Sequence, residues 1–256
     1  MAISTFKRKE IKFLLSDEQY KALVPVLQQY MRADEYCIGG NEYGIYNIYY
    51  DTPNDYLIRQ SLSKPYYKEK IRLRSYYSPA KPTDKVFLEL KKKIGGIVVK
   101  RRVTMTLEEA NIYLKTGEKP YSNKYIQNQV FAELDEFKGR FELLPKQYIS
   151  YQRSAYFGKD DPTFRLTFDR GITTRRNDLA LSSESYGWQI IQPTQHLMEV
   201  KISNSVPMWL SKQMSELGIF KTSFSKYGTG YTQYVYHKLY SQGSIEDYKE
   251  RNLKVV

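Results

Sequence analysis

KEKIRLRSYY, residues 68–77, alternates with a period of two. Lys70, Arg72 and Arg74 fall on one side; Ile71 and Leu73 fall on the other. A strand with this pattern has one apolar face and one face carrying three long cations, alternate residues lying about 7 Å apart. Nothing nearby in the sequence of that face neutralises them.

The same pattern recurs along the chain. In FKRKEIKFL (6–14), Arg8, Glu10 and Lys12 share a face. In VFLELKKK (86–93), Glu89, Lys91 and Lys93 oppose Leu88 and Leu90, and the return strand adds Lys100 and Arg102. In TFRLTFD (163–169), Arg165, Thr167 and Asp169 oppose Phe164, Leu166 and Phe168. In HLMEVKI (196–202), Glu199 and Lys201 oppose Met198, Val200 and Ile202. An antiparallel sheet ordinarily has one solvated face, and any one of these strands alone reads that way. A solvated face, however, mixes signs to avoid like-charge neighbours, and here Arg and Lys form the majority. The alternative is a barrel whose apolar faces look outward against helices and whose interior is lined with cations. Enclosed cations need an enclosed anion, because uncompensated buried charge is costly. A chain of phosphates has the required charge density, and Arg grips it bidentately. The few acids would hold a divalent cation bridging phosphate oxygens.

The element pattern fits. Strands are expected at about 6–14, 43–50, 67–77, 85–93, 97–104, 148–157, 163–169 and 196–203, mostly adjacent in sequence and therefore antiparallel. SPAKPTD (78–84) reads as a hairpin loop, and Gly95-Gly96 as a tight hairpin turn. Helices are expected from Ser16, a good N-cap, with a kink point at Pro25, and at 106–117, 126–141, 205–218 and 228–240. Ser205 and Gly218 are the expected ends of the fourth. Eight strands can close into a barrel, which removes the sheet edges. The expectation is therefore an α+β fold: an eight-stranded antiparallel tunnel barrel with helices packed on the outside, one domain over residues 1–256.

Composition narrows the function. The 256 residues carry a net charge of +12, which points to a polyanionic partner. Only His196 and His237 are present, so a His-based zinc site or a Ser-His-Asp triad is poorly supported. Cys37 is the single cysteine, excludes an internal disulfide, and reads as a small buried residue in a reducing compartment. No apolar run reaches the length of a membrane span, and the N-terminus lacks a signal-peptide pattern; a cytoplasmic location is expected. Nucleic acid is not expected as partner: the cations alternate along strands instead of clustering, and many of the 25 tyrosines read as core and barrel-rim residues.

The ordered pieces RKEIKFLL, IYNIYYDTPNDYLIRQ, KEKIRLRSY, VFLELKKK, KRRV, YQRSAY, FRLTFDRGI, LMEVKI and SFSKYGTGY, spanning residue 8 to about 231, resemble the polyphosphate polymerase (VTC) domain family of the triphosphate tunnel metalloenzyme superfamily. The resemblance implies an eight-stranded tunnel whose catalytic members transfer the γ-phosphate of ATP to a growing polyphosphate chain with Mn²⁺ or Mg²⁺. It implies catalytic roles for Lys12, Arg72, Arg74, Lys91, Arg153 and Lys226. Phosphate or nucleotide contacts are expected from Arg8, Lys70, Lys93, Lys100, Arg102, Tyr151, Arg165 and Lys201, and metal ligation from Glu199 with Glu10. Three positions depart from the family pattern: Arg8 stands where many tunnel enzymes have a first glutamate, and Lys93 and Ser223 stand where fungal catalytic members carry histidine and lysine. ATP and polyphosphate are the implied partners, with a membrane export component beyond them; a stand-alone catalytic domain is the expectation. Two alternatives share the fold, a triphosphatase and a catalytically silent polyphosphate-binding subunit.

Overall fold

The computed structural model describes residues 9–203 and 205–241. Gly95 and Gly96, with φ of 53° and 90°, turn one strand directly into the next. Two successive left-handed residues match the twist of the flanking strands, and the ladder closes immediately beside them at Ile94 and Ile97. The strands, in chain order, are β1 (Lys9–Ser16), β2 (Met31–Ala33), β3 (Tyr43–Asp51), β4 (Tyr67–Ser75), β5 (Lys85–Ile94), β6 (Ile97–Thr106), β7 (Leu144–Gly158), β8 (Arg165–Arg175), β9 (Trp188–Gln189), β10 (Gln195–Ile202) and β11 (Lys221–Thr222). The helices are α1 (Asp17–Tyr30), α2 (Tyr56–Leu62), α3 (Leu107–Thr116), α4 (Tyr125–Arg140), α5 (Met208–Glu216) and α6 (Lys226–Ser241). The eight expected strands all form; β2, β9 and β11 are short additions.

One antiparallel sheet runs β11-β1-β10-β8-β7-β3-β4-β5-β6, with β2 on β7 and β9 on β8. It has eleven strands instead of eight, and among the described residues no ladder joins β6 to β11. The sheet nevertheless curls on itself. β1 and β5 lie far apart in strand order, yet Lys91 Nζ on β5 is 3.7 Å from Glu10 Oε2 on β1. The alternating faces decide which way it curls. Ile71, Leu73, Val86, Leu88, Leu90 and Val103 pack outward against Tyr113 of α3 and Phe131, Leu134 and Phe137 of α4. Phe13, Leu15, Leu166, Phe168, Met198 and Val200 pack outward against Leu23 and Leu27 of α1 and Leu210 of α5. Burying such a side chain contributes about 1.5–3 kcal/mol, so these two cores fix the cationic faces inward.

Local signals explain most helix boundaries. Ser16 and Gln19 form a capping box at the start of α1, as Thr106 and Glu109 do for α3. Helix α3 stops at Gly117, whose φ of 86° suits glycine. Helix α1 continues unbroken through the exposed Pro25. Helix α5 is capped at Pro207, not Ser205; Leu217 closes it and Gly218, with φ of 62°, follows as the expected stop. Helix α2 was not foreseen. Its N-terminal amides are satisfied from a distance by Asp51, whose carboxylate accepts from Leu57 N at 2.8 Å and Ile58 N at 2.9 Å. Cys37 is buried as expected and its Sγ accepts from Ala155 N at 3.3 Å. Among the described residues no helix is long and apolar enough to cross a membrane.

Candidate functional site

Strand register supplies the partner that the sequence of KEKIRLRSYY lacks. Arg72, Glu89 and Arg102 stand opposite one another across β4, β5 and β6. Arg72 Nε and Nη2 each lie 2.7 Å from Glu89 Oε2. Arg102 Nε donates to Oε1 at 2.8 Å, its Nη2 reaches the same oxygen, and Lys100 Nζ lies 3.2 Å away. The Glu89 side chain is 1% exposed. Burial pushes its carboxyl up, but Arg72, Arg74, Lys100 and Arg102 outweigh this and hold it far below the usual carboxylate range. Arg72 Nη1 also donates to Tyr49 OH at 3.1 Å. Arg74 donates to Asn47 Oδ1 at 3.0 Å and to Tyr151 OH at 3.4 Å. Lys70 is different. Its Nζ meets Ser225 Oγ at 3.3 Å and lies 5.7 Å from the Tyr227 ring. Burial, then Lys68, Lys91 and Lys12, push its pKa down to about 7.

A second cluster forms where β1, β8 and β10 face the start of α6. Arg153 on β7 grips Asp169 on β8 with two bonds of 2.6 and 2.7 Å. Lys226, the first residue of α6, lies 2.5 Å from Asp169 Oδ2 and 3.1 Å from Glu199 Oε1. Lys12 Nζ is 3.5 Å from Glu199 Oε1 and 3.5 Å from Glu10 Oε1, and donates to Phe224 O at 3.1 Å. Lys201 Nζ is 3.9 Å from Glu199 Oε2. Asp169 and Glu199 are buried; burial raises both carboxyls, yet the cations around them hold both below their usual values. The same carboxylates hold Lys226 protonated against the pull of burial. Lys226 Nζ also lies 4.6 Å from the ring of Tyr151, which is 3% exposed and so acts as a support beneath the cations.

One end of this concave face is filled. Leu14, Ile45, Tyr49, Ile149, Ile172 and Leu197 meet Ile58 of α2 and Tyr227 of α6 there. The Tyr49 and Tyr227 rings stack at 4.5 Å. The result is a curled sheet with a cation-rich hollow, blocked at one end by α6. The VTC domain profile matches residues 7–235, nearly the whole of this arrangement. The chain belongs to the VTC domain family. Solved structures share the fold at low identity. A proposed adenylate cyclase (bh2851) from Bacillus halodurans is 16% identical with a TM-score of 0.53, the match covering 86% of this chain and 95% of that one. A proposed adenylyl cyclase from Hippeastrum, HpAC1, described as having a dominant triphosphatase activity, is 17% identical with a TM-score of 0.51, covering 88% and 95%. No curated protein sequence matches.

The remaining expected residues of this VTC domain distribute around the hollow. Lys91 reaches Glu10 across it, and Lys93 is exposed near the Gly95-Gly96 turn. Arg165 lies 3.7 Å from Asp34 Oδ2, outside both clusters. Arg8 falls outside the described residues. Glu89 and Asp169 were legible as members of polar faces, but their part as buried counter-charges was not. Asn47, Tyr49 and Ser225 were not foreseen at all. Among the described residues no cluster of three His, Cys, Asp or Glu suited to a metal occurs. Glu10 and Glu199 do fit a hard divalent ion in donor chemistry. Both are bridged by Lys12, so they make only a partial ligand set that phosphate oxygens must complete.

Proposed function

We propose that this VTC domain is an ATP-dependent polyphosphate polymerase, a single catalytic domain that transfers the γ-phosphate of ATP to a growing polyphosphate chain. The observation that carries this reading is charge imbalance in the hollow. Glu10, Glu89, Asp169 and Glu199 are outnumbered more than twofold by the lysines and arginines around them, and among the described residues Lys70 has no carboxylate within ion-pair distance. A multiply charged anion is the natural complement.

Phosphoryl transfer needs alignment and charge neutralisation more than covalent help from the protein. Lys70, Lys91 and Lys201 have capacity to spare for phosphate oxygens. Arg72 and Arg102 are pre-aimed by Glu89, and Arg153 and Lys226 by Asp169, so little reorganisation is needed when phosphate arrives. The nucleophile is a terminal polyphosphate oxygen, already ionised at neutral pH. It bonds to the γ-phosphorus as the bond to the β–γ bridging oxygen breaks, and ADP leaves. No general base is required, which suits a site without histidine: His196 stacks on Tyr20 at 4.0 Å and meets Asp17 at 3.1 Å. Mn²⁺ or Mg²⁺ held by Glu10, Glu199 and phosphate oxygens would add positive charge where the terminal phosphates meet.

Incubation with ATP and Mn²⁺ or Mg²⁺, followed by gel analysis, tests the reading: long polyphosphate is expected. The fold shared with HpAC1 favours a second reading, a triphosphatase, which would release inorganic phosphate with no polymer. Binding of polyphosphate without turnover would identify a silent binding subunit. A cytoplasmic location is part of the proposal, and the single cysteine, Cys37, suits a reducing compartment; delivery of product to a membrane export component rests on the family resemblance alone.

A further inference from the structure

Among the described residues, the part of the hollow around Tyr43 and Phe87 is lined differently from the rest. Strand β3 begins with Tyr43, which packs on the edge of the core beside α6, and ends at Asp51, whose carboxylate accepts from Tyr227 OH of α6. Beside Tyr43 stands a row of rings in edge-to-face contact: Tyr36 to Tyr43 at 6.2 Å, Tyr43 to Tyr76 at 6.0 Å, and Tyr76 to Phe87 at 5.6 Å. Tyr36 is 68% exposed and Tyr76 38%, unlike the buried Tyr49 and Tyr227 of the other end. The row is continuous with the cations. Phe87 stands opposite Arg74 in register and two residues before Glu89 on the same face. Arg102 lies over its ring at 4.6 Å, and Tyr43 stands opposite Arg153. Aromatic faces beside phosphate-gripping arginines are the two halves of a nucleotide site. The step from the Glu89 row to Phe87 is about 7 Å along the strand, a gap that a ribose spans.

We infer that this aromatic row receives the base of the nucleoside triphosphate, with Tyr76 as its central stacking surface. The inference rests on the phosphate-binding reading of the hollow and adds the end at which the nucleoside lies. Stacking tolerates changes of base, because every base has a π-face, so ATP and GTP bind alike and tripolyphosphate binds without this contribution.

Calorimetric titration of ATP, GTP and tripolyphosphate into the wild type, Tyr76→Ala, Tyr76→Phe and Tyr36→Ala tests it. Tyr76→Ala should weaken ATP and GTP by about tenfold and leave tripolyphosphate unchanged, which also reports an intact fold. Tyr76→Phe should keep the wild-type affinities. Tyr36→Ala, at the exposed end of the row, should show the same split to a smaller degree. Equal losses for all three ligands, or no loss for the nucleotides, would overturn the inference while leaving the phosphate site standing. Failure of the wild type to bind tripolyphosphate would remove the phosphate reading, and this one with it.

Discussion

Replacing Glu89 by glutamine removes the charge that holds Arg72, Lys100 and Arg102 in one row. The side chain keeps its shape and some hydrogen bonding, so the effect isolates the charge. Glu89 is 1% exposed, and its loss leaves cations packed against one another with no internal counter-ion. Breaking a buried ion pair from one side costs about 3–5 kcal/mol. In a chain of 256 residues each kcal/mol moves Tm by about 2–4 °C, so a fall of about 10 °C is expected. The assay is thermal unfolding at neutral pH and low salt, with and without tripolyphosphate. Tripolyphosphate should recover more degrees in Glu89→Gln than in the wild type, because the anion replaces the missing charge. Acid provides a second check. The folded carboxyl sits below its ordinary value of 4.5, so its contribution is complete above that value and declines as pH falls towards the folded one. The difference between wild type and variant should therefore shrink on acidification. A Tm within about 2 °C of wild type would refute the reasoning, since it would mean that water already neutralises the row.

Arg72→Ala removes the contacts to Glu89 and Tyr49 and should lower ATP turnover by about tenfold or more; unchanged turnover would take Arg72 out of the phosphate path. Burial pushes Lys70 down to about 7, and Lys100 and Lys201 to about 8. Their unfolded values are near 10.5, so the unfolded chain binds more protons between these limits and these groups make the ligand-free protein more stable as pH rises. Tripolyphosphate affinity should move the opposite way, falling from pH 7 to about 9, with proton uptake at pH 8 visible in buffers of different ionisation heat; binding without proton uptake contradicts this. Mn²⁺ should bind tightly only together with tripolyphosphate, because Glu10 and Glu199 are each held by lysines; tight binding to the protein alone would displace the two-carboxylate assignment.

Strand alternation made the fold legible because a period of two needs only local sequence. The Gly95-Gly96 turn and the caps at Ser16 and Thr106 were legible for the same reason: each is a contact within a few residues. Helix α2 was hidden because its amides are capped by Asp51 from the preceding strand and Asp55 begins it at a positive φ of 59°. Strands β2, β9 and β11 are two or three residues long and have no period to read. At the site, the inward face of each strand was visible, but which acid serves which cation depends on register across three strands. That is why Glu89 reads locally as one acid before two lysines and acts as the counter-charge of Arg72, Lys100 and Arg102.

The absence, among the described residues, of a ladder between β6 and β11 has a mechanical consequence. A barrel sewn shut by backbone hydrogen bonds has a fixed girth. Here β5 is tied to β1 through Lys91 and Glu10, a pair whose attraction depends on its surroundings. The seam can widen without breaking a single ladder bond, and its tension is electrical. Salt, or phosphate competing for Lys91, slackens it. The width of the cavity is thereby coupled to what fills it.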